Sequence, residues 1–384
     1  MKKSMALLLA AAVMTASVPA VSAADPPAGA PEIASPSAIL VDAAGGQVLY
    51  EKNAHEKLHP ASVTKIMSLL LTMEALDEGI VSADTVITAS EHAAGMGGSQ
   101  IFLEPGEQMT LDDLLKAVAV SSANDACVAI GEHLAGSEAG FVERMNRRAE
   151  ELGMADTHFV NCTGLDAEGH LTTAYDIALM SRELLKHEKI REYTTIWIDT
   201  LRDGAFGLSN TNKLVRFYDG ATGLKTGFTA SAGYCVSATA MRDGMELIAV
   251  IMKGETSPKR NADASALLNY GFANYAVVQP EECAAPGSIP VTLGTDKTVD
   301  TALSQSGAFV APKDAARRME KHVTLEETLT APVEKGQVVG AYTVTLDGVE
   351  QIRIPVVAAG SVDRKSAGSI FAELAAALFG RRLR

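Results

Sequence analysis

The sequence predicts an α/β unit of the α+β kind over residues 37–277, with an antiparallel sheet and a helical subdomain. A small all-β domain follows over residues 281–358, and an amphipathic C-terminal helix within 361–384. Three observations carry this. Strand-like segments stand at both ends of 37–277 with helical periodicity between them, so one sheet should join its first and last parts. Gln279–Pro290 carries Pro280, Pro286, Gly287 and Pro290, which is linker chemistry. Beyond it the apolar runs are short and separated by turn residues, as in all-β domains.

Taken in order, residues 1–23 read as a secretory signal: Lys2 and Lys3, the apolar run Leu7–Val13, then Val21-Ser22-Ala23 as a small-residue cleavage site. Residues 24–36 form a loose Pro/Ala stretch, so the mature protein is expected outside the cytoplasm. Ala38–Asp42 and Gln47–Glu51 flank Ala43-Ala44-Gly45-Gly46 as a hairpin. Ser62–Leu76 is helical, with Ile66, Leu69, Leu70, Met73 and Leu76 as its buried stripe. Thr110 with Asp113 opens a helix through Val120. A break at Ser121-Ser122-Ala123 precedes further helices over Asn124–Leu134, Glu138–Leu152 and Thr173–Lys186. Gly223–Thr229, Tyr234–Ala240 and Glu246–Met252 then read as strands, with Arg242-Asp243-Gly244 as a hairpin turn. A helix from Arg260 to Tyr275 closes the unit. In the β domain the strand-like runs are Ile289–Leu293, Ala308–Pro312, His322–Leu325, Gln337–Val339, Tyr342–Leu346 and Val349–Val357. In the tail, Ile370, Phe371, Leu374 and Leu378 share one helix face, and Arg381, Arg382 and Arg384 end the chain. Its apolar stretch is too short to span a bilayer.

Composition excludes several classes. Hydrophobic residues are 47% and charged residues 21% of the 384, which is globular rather than disordered. The formal charge of −14 argues against a nucleic-acid binder, which needs a basic face. Cys127, Cys162, Cys235 and Cys283 are far apart, form no C-x-x-C, and leave the pairing question open. Cys127 and Cys235 lie in apolar runs and read as small buried residues.

Three motifs carry chemistry. Ser62-Val63-Thr64-Lys65 is S-x-x-K at a helix start, which places a hydroxyl and an amine on one face. The hydroxyl becomes a nucleophile once a base takes its proton, and a lysine can be that base when neutral. Ser122-Ala123-Asn124 is S-x-N between two helices: Ser122 is placed to relay a proton and Asn124 to hold a substrate backbone. Lys225-Thr226-Gly227 lies in a strand, where Lys225 faces a site, Thr226 binds a carboxylate and Gly227 leaves room for substrate. Each alone is weak. Together, each occurs once and in this order. A fourth pattern, His55-Glu56-Lys57-Leu58-His59, matches the H-E-x-x-H of zinc peptidases, but Pro60 and the preceding strand place it in a loop, where both imidazoles cannot share a metal. No metal or other cofactor is expected.

With these motifs on the page, the chain resembles the low-molecular-mass penicillin-binding proteins, serine-type D-alanyl-D-alanine carboxypeptidases. The likeness extends through Gly97-Gly98-Ser99-Gln100, Gly164-Leu165-Asp166, Gly223-Leu224, Phe228, and Arg260 seven residues before Leu267. Ala123 departs from the glycine frequent there, which matters only if that position has positive φ. The resemblance implies a serine β-lactamase/DD-peptidase-like fold. It implies that Ser62 attacks the peptide between two D-alanines, Lys65 takes its proton, and the N–H groups of Ser62 and Phe228 form the oxyanion hole. Ser122 and Lys225 pass a proton to the leaving group. Asn124, Thr226, Gly227 and Arg260 bind substrate, Arg260 through its terminal carboxylate. The implied partners are peptidoglycan stem peptides, β-lactam antibiotics, and the outer face of the cytoplasmic membrane through the tail helix.

Four rivals use parts of the same sequence. A class A β-lactamase needs a glutamate for deacylation, and His158–Asp166 has none. A crosslink-cleaving endopeptidase would use the same residues and differ in groove shape. A wall-binding module would not need all three motifs intact. A zinc peptidase would need His55 and His59 on a helix.

Overall fold

The computed structural model describes residues 29–278, 287–304, 308–315 and 318–379. The signal segment, Cys283 and the terminal arginines lie outside the described residues.

Five strands form one antiparallel sheet in the order Val48–Lys52, Ser37–Asp42, Met245–Gly254, Gly233–Arg242, Ala221–Thr229. The first and last segments do meet: Ile39 stands opposite Val250. Alternate residues serve two cores. Ile39, Val41, Val250 and Met252 face the helical subdomain, whereas Ala38, Leu40, Leu247 and Ile251 face Leu267 and Leu268 of the Ser257–Asn274 helix. Because both faces are covered, the central strands read as unbroken apolar runs rather than alternating ones. Each fully buried Leu or Ile here contributes about 1.5–3 kcal/mol.

The Lys65–Asp77 helix runs through the middle of the subdomain, against Ala174–Leu185 and Asn124–Ala135. Its Ile66, Met67, Leu69, Leu70 and Met73 are buried. Thr110 and Thr173 accept the N–H groups of Asp113 and Asp176 as helix caps, as their spacing predicts. The helix expected through Val120 is α-helical over Leu111–Lys116 and widens to a π-turn over Ala117–Ser121. The turn ends on Ser122 at φ +65°.

The C-terminal sheet has the order Met319–Leu325, Val338–Leu346, Val349–Ala358, Thr298–Leu303, Ser288–Thr292, Leu329–Thr330. The runs 337–339 and 342–346, read as separate, are one strand. Gly340 at its register slip presses on the Thr324 carbonyl where a side chain would clash. Thr298–Leu303 was not expected as a strand. Phe309–Pro312 pairs with Tyr275–Val278 and so ties the end of the first unit to the second. Val362 is buried in the β core and paired with Val333, and the tail helix is Ala367–Phe379. Phe371 and Leu374 on it are exposed. Among the described residues no helix is long and apolar enough to cross a membrane.

Candidate active site

Ser62 lies in a single 3₁₀ turn, Ala61–Thr64, that runs into the Lys65–Asp77 helix. The chain enters it through Ala61 at φ +48°, a conformation L-residues rarely adopt. Ser62 is half-buried and Lys65 fully buried. The Lys65 Nζ donates to Ser62 Oγ (3.0 Å), Asn124 Oδ1 (2.6 Å) and the Thr163 carbonyl (2.7 Å). Burial pushes its ammonium down to about 8.

Asn124 makes one bond to the protein at each amide atom: its Oδ1 accepts from Lys65, and its Nδ2 donates to the Gly97 carbonyl (2.6 Å). It therefore aligns the lysine with the Gly97–Ser99 segment, beyond the substrate contact expected of it. Ala123 has φ −58°, so the alanine there costs nothing. The left-handed residue is Ser122, whose buried Oγ has no hydrogen-bond partner among the described residues.

Lys225 and Thr226 are buried in the Ala221–Thr229 strand. Thr226 Oγ1 donates to Thr211 Oγ1 (2.8 Å), and Lys225 Nζ to the Thr226 carbonyl (3.1 Å). Lys225 is held well below the usual lysine range, first by burial, then by the charges of Lys65 and Arg260. Gly227 does not leave room for substrate as expected. A Cβ there would stand 2.8 Å from Ser62 N and 2.9 Å from the Pro60 carbonyl, so the missing side chain lets the strand press against the Ser62 turn. Phe228, next along, is exposed and stacks on Tyr234 at 4.3 Å. Arg260 is no surface arginine. It is 3% exposed and donates to Asn261 Oδ1, Ser257 Oγ and the Cys235 carbonyl, none of them a carboxylate. Burial pushes it down to about 10.

Residues 22–256 match the family model of D-alanyl-D-alanine carboxypeptidase, peptidase S11, and residues 278–364 match that of the penicillin-binding protein 5 C-terminal domain. The chain is 42% identical over 341 residues to the D-alanyl-D-alanine carboxypeptidase DacF of Bacillus subtilis, covering 87% of each. The chain belongs to the peptidase S11 family of D-alanyl-D-alanine carboxypeptidases. Penicillin-binding protein 5 of Haemophilus influenzae has the same fold, with a TM-score of 0.77, 28% identity, and coverage of 87% of this chain and 99% of that one. Penicillin-binding protein D2 of Listeria monocytogenes, solved in an ampicillin-bound form, matches with a TM-score of 0.58 and 33% identity, covering 63% of this chain and all of that one.

Several residues around Lys65 lie outside the three chemical motifs. Thr163 contributes only its carbonyl to Lys65. Asn161 Oδ1 accepts from Thr163 N, Thr163 Oγ1 and Gly164 N, and Gly164 lies so close to the Ala61 carbonyl that a side chain could not fit. Asp125, buried, accepts from Ile101 N, Leu103 N and Ala126 N, which pins the Gly97–Leu103 segment. His170 accepts from Val160 N at Nδ1, so its Nε2–H donates to Thr64 Oγ1 (2.9 Å) inside the Ser62–Lys65 turn. Burial pushes it down to about 4. The His55–His59 segment is a turn and extended chain, with His55 stacked on Tyr175 and His59 Nδ1 against the His170 carbonyl.

Proposed function

We propose that this protein removes the terminal D-alanine from peptidoglycan stem pentapeptides through an acyl-enzyme on Ser62, and that penicillin is captured at the same serine. The observation that carries the reading is Lys65: fully buried, lowered to about 8, and hydrogen-bonded to Ser62 Oγ. A lysine so placed is neutral in a useful fraction near neutral pH and accepts the serine proton as Oγ attacks the carbonyl. The oxyanion is then held by the N–H groups of Ser62 and Phe228; the missing side chain of Gly227 lets its strand lie against the Ser62 turn. Ser122, whose buried hydroxyl has no partner among the described residues, and Lys225 carry the proton to the departing D-alanine amine. Asn124 holds Lys65 in register and offers its amide edge to the substrate backbone. Thr226 binds the carboxylate, and water completes the cycle.

The preference for a carboxypeptidase over an endopeptidase rests on charge. Arg260 and Lys225 are buried basic side chains in a chain of net charge −14, the Arg260 charge acts on Lys225, and among the described residues no carboxylate is a hydrogen-bond partner of either. A free C-terminal carboxylate complements that field. The exposed Phe371 and Leu374 of the Ala367–Phe379 helix support a peripheral hold on the outer face of the cytoplasmic membrane after export. The test is D-alanine release from a pentapeptide ending in D-Ala-D-Ala beside a crosslinked dimer. Release from the pentapeptide alone supports the reading; cleavage of the dimer alone makes the enzyme an endopeptidase.

A further inference from the structure

One acceptor of Lys65 is a backbone carbonyl, and that carbonyl needs a hold of its own. The Thr163 oxygen, 2.7 Å from Lys65 Nζ, belongs to the peptide plane that Thr163 shares with the Gly164 N–H. Gly164 stands at φ +86°, and a Cβ there would overlap the Ala61 carbonyl. A glycine in that position leaves the plane free to turn unless something else fixes it. Asn161 supplies the fixing bonds. Its Oδ1 accepts from Gly164 N at 2.7 Å, from Thr163 Oγ1 at 3.1 Å and from Thr163 N at 3.2 Å, and its Nδ2 donates to the Leu165 carbonyl at 2.8 Å. The shortest of these bonds lies on the same peptide as the carbonyl that meets Lys65. The approach to the turn is held separately: Ser68 Oγ donates to the Cys162 carbonyl (2.7 Å), and the Cys162 N–H donates to Glu138 Oε1 (3.1 Å). From Thr163 to Leu165, among the described residues, the backbone hydrogen bonds run to Asn161, apart from the one to Lys65.

We propose that Asn161 is a positioning residue for acylation: it fixes the Thr163–Gly164 peptide and thereby aims the Lys65 lone pair at Ser62 Oγ. The assignment rests on the reading of Lys65 as the base. An ammonium carries three hydrogens, and Ser62 Oγ (3.0 Å), Asn124 Oδ1 (2.6 Å) and the Thr163 carbonyl oxygen take all of them. A neutral amine carries two hydrogens and one lone pair. The two carbonyl oxygens can only accept, so they keep the two hydrogens. The serine hydroxyl is the one partner that can donate, and the lone pair is left facing it. In the reacting step the Ser62 O–H bond breaks and its proton joins that lone pair. Oγ bonds to the carbonyl carbon of the peptide or the β-lactam, and the carbonyl π electrons move onto its oxygen. With the Thr163 carbonyl turned away, one amine hydrogen has no acceptor and the lone pair has no single direction. Asn161 makes no hydrogen bond to Lys65 or Ser62 and acts through the peptide between them.

Two variants of the full-length protein separate aiming from folding. Asn161→Asp keeps an oxygen for the three donors, gives up the bond to Leu165 and adds a negative charge near the amine. Asn161→Ala removes the acceptor altogether. Lys65 is titrated directly by NMR of isotope-labelled lysine side chains, and labelled-penicillin acylation is measured at limiting and saturating penicillin over roughly pH 6–10. Asn161→Asp should raise the Lys65 midpoint and the acylation midpoint together by about one pH unit, with a limiting rate close to that of the wild type. Asn161→Ala should lower both midpoints, because the ammonium loses an acceptor, and cut the limiting rate about 10- to 100-fold with half-saturating penicillin little changed. Lys65 midpoints unmoved in both variants, or a full limiting rate in Asn161→Ala, overturn the proposal. Equal rate losses in the two variants overturn it as well, since a folding role alone treats them alike. Lys65 midpoints that move while the acylation profile stays put leave the hold of Asn161 on the amine standing and refute Lys65 as the base, and with it the proposed function.

Discussion

Asn124 holds Lys65 more closely than Ser62 does: the Lys65 amine is 2.6 Å from Asn124 Oδ1 and 3.0 Å from Ser62 Oγ. A neutral acceptor at that position fixes the amine without adding a negative charge that would keep it protonated. The wild-type acylation rate should rise with pH through about 8 as Lys65 loses its proton. Asn124→Asp puts a carboxylate against the ammonium and should move that rise up by about one pH unit or more. Labelled-penicillin acylation rates over roughly pH 6–10 read this out. An unmoved profile would mean that another group sets it.

Gly227→Ala should abolish most acylation. Its Cβ would meet Ser62 N and the Pro60 carbonyl, both backbone atoms of the nucleophile turn that cannot swing away. Overpacking of this kind costs about 1–3 kcal/mol, so the variant should still fold. Circular dichroism melting beside penicillin capture separates the two effects.

Stability should fall on acidification because of His170. Its ordinary value of 6.5 drops to about 4 in the folded protein. The unfolded chain thus binds a proton that the folded chain refuses. The contribution is complete above about pH 6.5 and is lost as pH falls toward about 4, amounting to about 3 kcal/mol. Urea unfolding at neutral and mildly acidic pH should show this loss, and His170→Gln should flatten it.

The three motifs and the closure of the first sheet were legible because both depend on side-chain type and period. Ser62, Lys65 and Asn124, which hydrogen bonds join in the structure, were singled out by spacing, and the Ser37–Asp42 to Met245–Gly254 pairing by the order of strands and helices. Thr163 was not found, since a backbone carbonyl leaves no trace in residue identity. The purpose of Gly227 was misread for a related reason: the sequence reveals a missing side chain but not what fills the space. The hairpin Ile198–Leu201 with Phe206–Ser209 escaped notice although its turn carries Asp203-Gly204, both at positive φ, because its strands are four residues each and hold Asp199 and Gly207, poor strand formers. Thr298–Leu303 has the alternation of a half-buried strand but few large apolar residues to announce it.

Removing residues 367–384 should release the enzyme from membranes with activity on small peptides unchanged. The cut spares Val362 and the Lys365 N–H bond to Leu293, which belong to the β domain. Four apolar side chains worth about 1.5–3 kcal/mol each on full burial support reversible attachment. Sedimentation of the signal-processed truncation with membranes would assign the anchor elsewhere.

The central claim is that Ser62 carries the acyl group. Intact-mass and peptide analysis after penicillin treatment should give a single adduct, on the peptide containing Ser62, and none in Ser62→Ala. An adduct that persists in Ser62→Ala, or one mapped to any other residue of the wild type, would contradict it.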